Sequence, residues 1–386
     1  MPDTPERGFD DLDTLVSELH RSAPAVSTPE AADTLALVTW LRQVRELNGS
    51  DLLLVAGLPP LVRVKGQVSR LPGDGLTGED IEGAVSSIVS PRLRERYRAG
   101  EAVDLAFTSR GLGRFRVNLH RERGRAAAAI RALPTRIPRV PDLHFSHDIA
   151  LLAELPRGLV LVCGPTGSGK TTTLAALVAE INARHPRHIV TVEDPIEYEH
   201  PHVRSAIEQI EIGIDAPDFP TALRSAVRQA PDVIVVGEMR DPETMRIALS
   251  AAETGHLVLA TVHATDVAAA VSRIADGFPI ERQNAVRQEL AMALAAVLTQ
   301  SLVPTRAGTV VPIAELLMVS YGARQHIRKN ALQHLNQEMT ITRKAGSFTL
   351  EESLARFVLS GVLDRAEAMV RAAHPDELES LLRARV

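Results

Sequence analysis

Past residue 158 the chain alternates short, almost wholly apolar runs with longer stretches whose apolar residues recur at helical spacing. Runs over 158–163, 188–193, 233–237, 256–262 and 310–317 predict strands, because a strand buried on both faces carries no polar alternation. Between the first two, Leu174, Leu177, Val178 and Ile181 share one side of a helix expected over Thr172 to Ala183. Strand and helix in turn imply right-handed βαβ units and a parallel sheet covered on both faces. Beyond Ser320 the pattern breaks into short helices, including Thr349 to Ser360 and Pro375 to Arg383.

Upstream the pattern is different. Leu35 to Leu41 with Val44 and Leu47 reads as an amphipathic helix that stops at Asn48-Gly49. Short strands are expected at 51–56, 61–65 and 102–107, with a final pair over Gly113 to Leu119 and Ala126 to Leu133. Thr77 to Tyr97 is helical, interrupted at Ser90-Pro91. Prolines at 134, 138 and 141 mark a connecting segment, where a hinge is expected. The expected organisation is a loose polar tail over 1–32, with a helix around Leu12 to Leu19, then a small α+β domain over 33–140. An α/β domain with C-terminal helices follows over 141–386.

Candidate chemistry begins where the 158–163 run ends. Gly164-Pro165-Thr166-Gly167-Ser168-Gly169-Lys170-Thr171 fits the phosphate-loop pattern at every fixed position, between a strand and a helix, with Thr172 continuing the segment. Glycines let backbone N–H groups turn inward to cradle phosphate oxygens, and the helix N-terminus adds positive potential. Lys170 would reach the β- and γ-phosphates of ATP, and Thr171 would hold Mg²⁺.

Three further segments carry polar residues at strand ends. Val233 to Val236 is an apolar run that leads into Gly237 and Glu238, an acid able to orient water or support Mg²⁺ at a γ-phosphate. Glu193-Asp194-Pro195-Ile196-Glu197 suits either metal and water coordination or an ordinary solvated loop. His256 and His263 bracket the run 257–262 and are either phosphate sensors or structural histidines. Arg114, Arg116, Arg121, Arg123, Arg125 and Arg131 gather near the last two strands of the small domain. They leave open nucleic-acid contact, a solvated edge, or arginine fingers that reach a neighbour's nucleotide.

Composition narrows this. Aromatics are 3% and the net charge is −5, which weighs against base stacking and a polyanion track, so no nucleic-acid partner is expected. The single cysteine, Cys163, excludes an internal disulfide and a cysteine-cluster zinc site. No apolar stretch reaches ~18 residues, so the expectation is a cytoplasmic protein without direct membrane insertion.

Taken together, the phosphate loop, Glu193 to Glu197, Val236 to Asp241 and Ala251 to His263 resemble the secretion-type ATPases, and within them the PilT-like retraction ATPases of type IV pili. Ser50 to Leu52, Ala56 to Pro60, Arg114 to Asn118 and Ile130 to Pro134 also match. The family's Ala-Ile-Arg-Asn-Leu-Ile-Arg segment reads Gly322-Ala323-Arg324-Gln325-His326-Ile327-Arg328, and its Ser-Asp-Leu-His-Leu has Leu53 in place of histidine.

The resemblance implies a PAS-like domain before a RecA-like domain, assembled as a ring-shaped homohexamer. It implies Lys170 and Thr171 as the Walker A pair, with Mg²⁺ on Thr171 and Glu193. Glu193 and Glu197 become an acidic box, Glu238 the catalytic Walker B acid, His256 and His263 a histidine box, and Arg116 and Arg131 the arginines that contact ATP. The implied activity is ATP hydrolysis coupled to pilus retraction and twitching motility. Its implied partners are an inner-membrane platform protein and a second retraction ATPase, with the motor peripheral at the inner face of the membrane. A pilus-assembly or type II secretion ATPase is the alternative; those relatives commonly carry a four-cysteine zinc element, absent here. A nucleic-acid translocase is the second alternative.

Overall fold

The computed structural model describes residues 32–384, and the tail expected before them, with its helix around Leu12 to Leu19, lies outside the described residues. Two compact units emerge: one from the residues up to Asp104 with Val117–Ala132, the other from Leu105–Arg116 with everything from Leu133 onward.

In the first unit, α1 (Ala32–Glu46) precedes β1 (Asp51–Val55), β2 (Leu61–Val64) and β3 (Gln67–Arg70), then α2 (Gly78–Ser86) and α3 (Pro91–Arg98). Thr77 starts α2 through a reciprocal capping box with Asp80, which satisfies two backbone donors at once. Ser90-Pro91 is the start signal of α3: proline occupies the first turn, where its missing N–H costs nothing. β4 (Val103–Ser109), β5 (Gly113–Glu122) and β6 (Arg125–Ala132) complete a six-stranded sheet ordered β3-β2-β1-β6-β5-β4, of which the stretch Leu105–Arg116 groups with the second unit. β1 lies antiparallel to β6 with Leu52 opposite Ile130, both buried. β3, exposed along its whole length with Val68 as its single apolar residue, has no hydrophobic pattern for the sequence to show.

The second unit carries β7 (Gly158–Cys163), α4 (Lys170–Arg184), β8 (His188–Glu193), β9 (Ala206–Glu211), α5 (Phe219–Ala226), β10 (Val233–Val236), α6 (Pro242–Glu253), β11 (Leu257–Val262), α7 (Val267–Asp276), α8 (Ile280–Ala293), β12 (Leu294–Pro304) and β13 (Val310–Met318). They form a seven-stranded sheet ordered β13-β12-β7-β11-β10-β8-β9. β12, β7, β11, β10, β8 and β9 run parallel. The run at 310–317 departs from the expected parallel pairing: β13 lies antiparallel to β12, as an arm at the sheet edge.

Alternate residues of each central strand feed two cores. Leu159, Leu161, Ile234, Val258 and Ala260 face one side, with α5 through α8. Val160, Val162, Ile189, Val233 and Leu259 face the other, with Leu174, Leu177 and Ile181 of α4. Every residue of β7 and β11 is buried, and each such aliphatic side chain adds about 1.5–3 kcal/mol to folding, so these strands make a rigid platform for the loops at their ends.

Short helices close the chain: α9 (Tyr321–Arg328), α10 (Leu335–Ile341), α11 (Leu350–Leu359), α12 (Arg365–Arg371) and α13 (Pro375–Arg383). Leu354, Leu363, Leu378 and Leu382 pack with Val303, Val311 and Ile313 of the β12–β13 arm. Arg324 of α9 donates to the carbonyls of Ala291 and, at 2.8 Å, Met292, and thereby caps the C-terminus of α8. Among the described residues no helix is long and apolar enough to cross a membrane.

Candidate nucleotide site

Parallel strands present their C-terminal ends on one edge of the sheet, and ligands of such folds sit in the crevice there. Four of those ends carry the candidate residues. Gly164 to Gly169 loops from β7 into α4, with Gly164, Gly167 and Gly169 all at positive φ. A Cβ on Gly164 would collide with the Gln300 carbonyl and the Ser168 hydroxyl, so only glycine closes the loop at this point. Pro165, Thr166 and Gly167 are exposed.

Lys170 opens α4 and is almost fully buried, its ammonium donating to the Gly164 and Pro165 carbonyls, each at 2.9 Å. Burial lowers its pKa, opposed by the nearby thiol of Cys163 and the carboxylate of Glu238. Cys163 is inert: burial pushes its thiol up to about 12, far from the thiolate that redox chemistry needs.

Glu238 follows β10. Its carboxylate pairs with Arg240 on one oxygen and lies 3.6 Å from Nε2 of His263, the residue just past β11, on the other. Burial lowers the pKa of His263 first, and the Lys170 charge lowers it further against the pull of the Glu238 carboxylate, so the site favours the neutral imidazole. Lys170, Glu238 and His263 thus converge from three strand ends.

Glu193 ends β8, half-buried, accepting from Thr191 at 2.7 Å and Gln209 at 3.1 Å; burial raises its pKa. Glu197 and Asp194 follow in the connecting loop. Thr171 is partly buried beside Lys170, and the Thr172 hydroxyl lies 3.1 Å from that of Tyr198.

His256 is not brought to this edge. It precedes β11, whose first residue, Leu257, pairs with Gly158 at the start of β7, while Val262 pairs with Cys163. His256 is therefore a strand's length from His263, and its Nδ1 is satisfied by the Ala251 carbonyl at 2.9 Å. Arg131 belongs to the first unit, mostly exposed and bonded to Asp51 at 2.9 Å. Arg116, partly buried on β5, belongs to the second.

Also in the second unit, Arg114 does what the sequence left undefined. Its guanidinium donates to the Ile196 carbonyl at 2.8 Å, pairs with Glu199 at 3.2 Å and pairs with Glu211, whose side chain is 4% exposed. Glu211 also accepts the Ile196 N–H at 3.2 Å. Arg114 therefore pins the acidic loop between Glu193 and Glu199. The sequence reading missed Glu211, Gln209 and Tyr198, which support the same loop. The one available signal was the alternation of Ala206 to Glu211, which ends in an acid.

Glu315 of β13 is a further acid, partly buried at the sheet edge. It accepts the Val267 N–H at 2.7 Å, so it caps the start of α7, and burial raises its pKa to about 7. Between the usual carboxylate value and about 7, the folded chain holds a proton that the unfolded chain releases. Stability is greatest below that window and falls as pH rises through it, by on the order of 3 kcal/mol from this group alone. Thermal melts of Glu315→Gln against pH should show a flatter decline than wild type; an equal slope in the two would reject the assignment.

The residues fit a magnesium triphosphate. A buried ammonium lies among loop carbonyls at a helix N-terminus, and the buried Ser168 hydroxyl has no protein partner. The Thr171 hydroxyl and the carboxylates of Glu193 and Glu238 are the hard oxygen donors that Mg²⁺ takes.

Fold and site define an α/β protein with a parallel-sheet ATPase domain preceded by a small unit built on an antiparallel sheet. A family model described as "Type II/IV secretion system protein" matches residues 142–344, and the chain belongs to that family. It is 38% identical over 329 residues to the type IV pilus retraction ATPase PilT of Pseudomonas aeruginosa, covering 85% of this chain and 96% of the relative. A twitching motility protein of Neisseria gonorrhoeae is 39% identical over 325 residues, covering 84% and 87%. A crystal structure of the pilus retraction motor PilT with bound ADP superposes with a TM-score of 0.82 at 40% identity, covering 89% of this chain and 98% of that one. The chain is PilT-like over most of its length.

Proposed function

We propose that this chain is an ATP-hydrolysing motor that powers type IV pilus retraction, working as a homohexamer on an inner-membrane platform protein, with a second retraction ATPase as a further partner. The observation that carries the reading is the convergence of Lys170, Glu238 and His263 beside the glycine loop, in a chain similar to retraction motors along most of their length.

Residues Gly164 to Thr172 bind the nucleotide, with inward N–H groups and Lys170 matching phosphate charge. Mg²⁺, when bound, neutralises phosphate charge; Thr171 and Glu193 would hold it. Glu238 orients the attacking water and accepts its proton, and His263 beside it accepts or donates a hydrogen bond as phosphate charge changes. Glu197 supports Glu193 in the acidic loop, and Arg116 and Arg131 are assigned to ATP contact. The family's histidine box also includes His256, whose place at the far strand end suits support of β11. Loss of these contacts on hydrolysis drives the domain movement, with the segment near 134–141 as hinge.

The test is pilus imaging with surface motility in a deletion strain. Excess, immobile pili, cured by the wild-type gene and not by one carrying Glu238→Ala, is the expected result. Bald cells would reassign the output to pilus assembly, and unaltered pili with a secretion defect would reassign it to secretion.

A further inference from the structure

We propose that Gln300 is a positioning residue for the nucleotide: from β12 it clamps the phosphate loop on both sides of Lys170 and so sets nucleotide affinity. The proposal rests on reading that loop as the triphosphate site.

β12 runs parallel beside β7, with Thr299 opposite Cys163, the last residue of β7. The next residue, Gln300, therefore lies beside the point where the loop departs. It is 4% exposed. Its Nε2 donates to the Ser168 carbonyl at 2.6 Å, and its Oε1 accepts from the Thr173 hydroxyl at 2.8 Å. Its own carbonyl occupies the space a Cβ on Gly164 would need, and a Cβ on Gly169 would come within 3.3 Å of its Nε2. One side chain thus holds the loop before Gly169 and the helix after Thr172. Gly169, Lys170, Thr171 and Thr172, the part of the loop expected to carry the ammonium and the metal-binding hydroxyl, lie between its two anchors.

The chemistry of the amide explains the choice. The site offers one carbonyl that needs a donor and one hydroxyl that needs an acceptor, and glutamine supplies both without a charge. A loop that aims several N–H groups at one point is unfavourable when empty, because aligned dipoles repel. A clamp made from the neighbouring strand keeps that arrangement in place before ligand arrives. Without it, the loop spends part of its time in other conformations, and apparent affinity falls by the fraction that remains competent. At saturation the ligand restores the loop, so turnover changes little. A purely structural glutamine would behave otherwise: its loss would lower stability and leave affinity untouched.

The experiment compares wild type, Gln300→Met, Thr173→Val, the double variant and Gln300→Glu. It measures KM and kcat for ATP, Kd for a non-hydrolysable ATP analogue, and thermal melts without nucleotide. Gln300→Met should raise KM and Kd about 10- to 100-fold, since a buried carbonyl and hydroxyl both lose their partners, with kcat within about threefold. Thr173→Val should give a smaller rise, and the double variant should be no worse than Gln300→Met, because both act through one clamp.

Gln300→Glu tests the donor separately. Its carboxylate cannot donate to the Ser168 carbonyl, but its protonated acid can. KM should therefore recover toward wild type as pH is lowered from about 8 to about 6. That profile decides the matter even where Gln300→Met fails to fold. Wild-type KM and Kd in Gln300→Met, or a KM in Gln300→Glu independent of pH, would overturn the proposal. Failure of wild type itself to bind the ATP analogue saturably would instead remove the reading of the loop beneath it.

Discussion

Glu238→Gln should lower ATP turnover by about 10²- to 10⁴-fold while nucleotide affinity stays within a few-fold of wild type. The amide keeps the size of the side chain and one acceptor oxygen toward Arg240 or His263, so the strand-end geometry persists. It cannot take a proton from water. The loss should therefore fall on kcat rather than KM, as for an interaction made chiefly in the transition state. Lys170→Ala should behave differently. Its ammonium is held among the Gly164 and Pro165 carbonyls, ready to exchange them for phosphate oxygens, and its removal takes away binding as well as turnover. Steady-state kinetics with equilibrium binding of a nucleotide analogue separate the two. Turnover near wild type in Glu238→Gln would move the base elsewhere, and undiminished binding in Lys170→Ala would take the phosphate site away from this loop.

The second large effect is one of stability. Arg114→Ala should destabilise the second unit by about 3–5 kcal/mol, because it leaves the Glu211 carboxylate buried, with the Ile196 N–H its one remaining partner from that network. Burial already raises the pKa of Glu211, and Arg114 is the first of the groups that pull it back. The exposed partner Glu199 contributes little, since solvent screens it. Replacing both members with apolar residues of similar volume, Arg114→Met with Glu211→Leu, should return most of the loss, because no uncompensated charge remains. Denaturant unfolding of the single and double variants measures this directly. A single variant within 1 kcal/mol of wild type would show that the carboxylate finds water or protonates at little cost.

Local chemistry settles much of this protein without any tertiary contact. The glycine loop, its preceding apolar run and the amphipathic pattern of α4 are adjacent in sequence, so strand, turn and helix N-terminus could be read together. The same holds for β8, β10 and β11 and for the helix α11, each readable from a few neighbouring positions. Acids just past β8 and β10 were legible as candidates because a parallel sheet sends its C-terminal ends to one edge.

What the tertiary structure alone decided depends on partners distant in the chain. Leu294 to Pro304 follows α8 without a break and is rich in alanine and leucine, good helix formers. It becomes β12 because β7 and β13 take up its backbone hydrogen bonds. That pairing puts Gln300 beneath the phosphate loop and Glu315 at the start of α7, and neither placement leaves a local pattern. Arg114 and Glu211 stand far apart in sequence, and only the fold makes their charges one buried pair. His256 and His263 look equivalent in sequence, yet the direction of β11 sends one to the edge that carries the glycine loop and the other to the opposite end. Spacing along a chain specifies which face of an element a residue occupies, whereas sheet order and strand direction specify what it meets there.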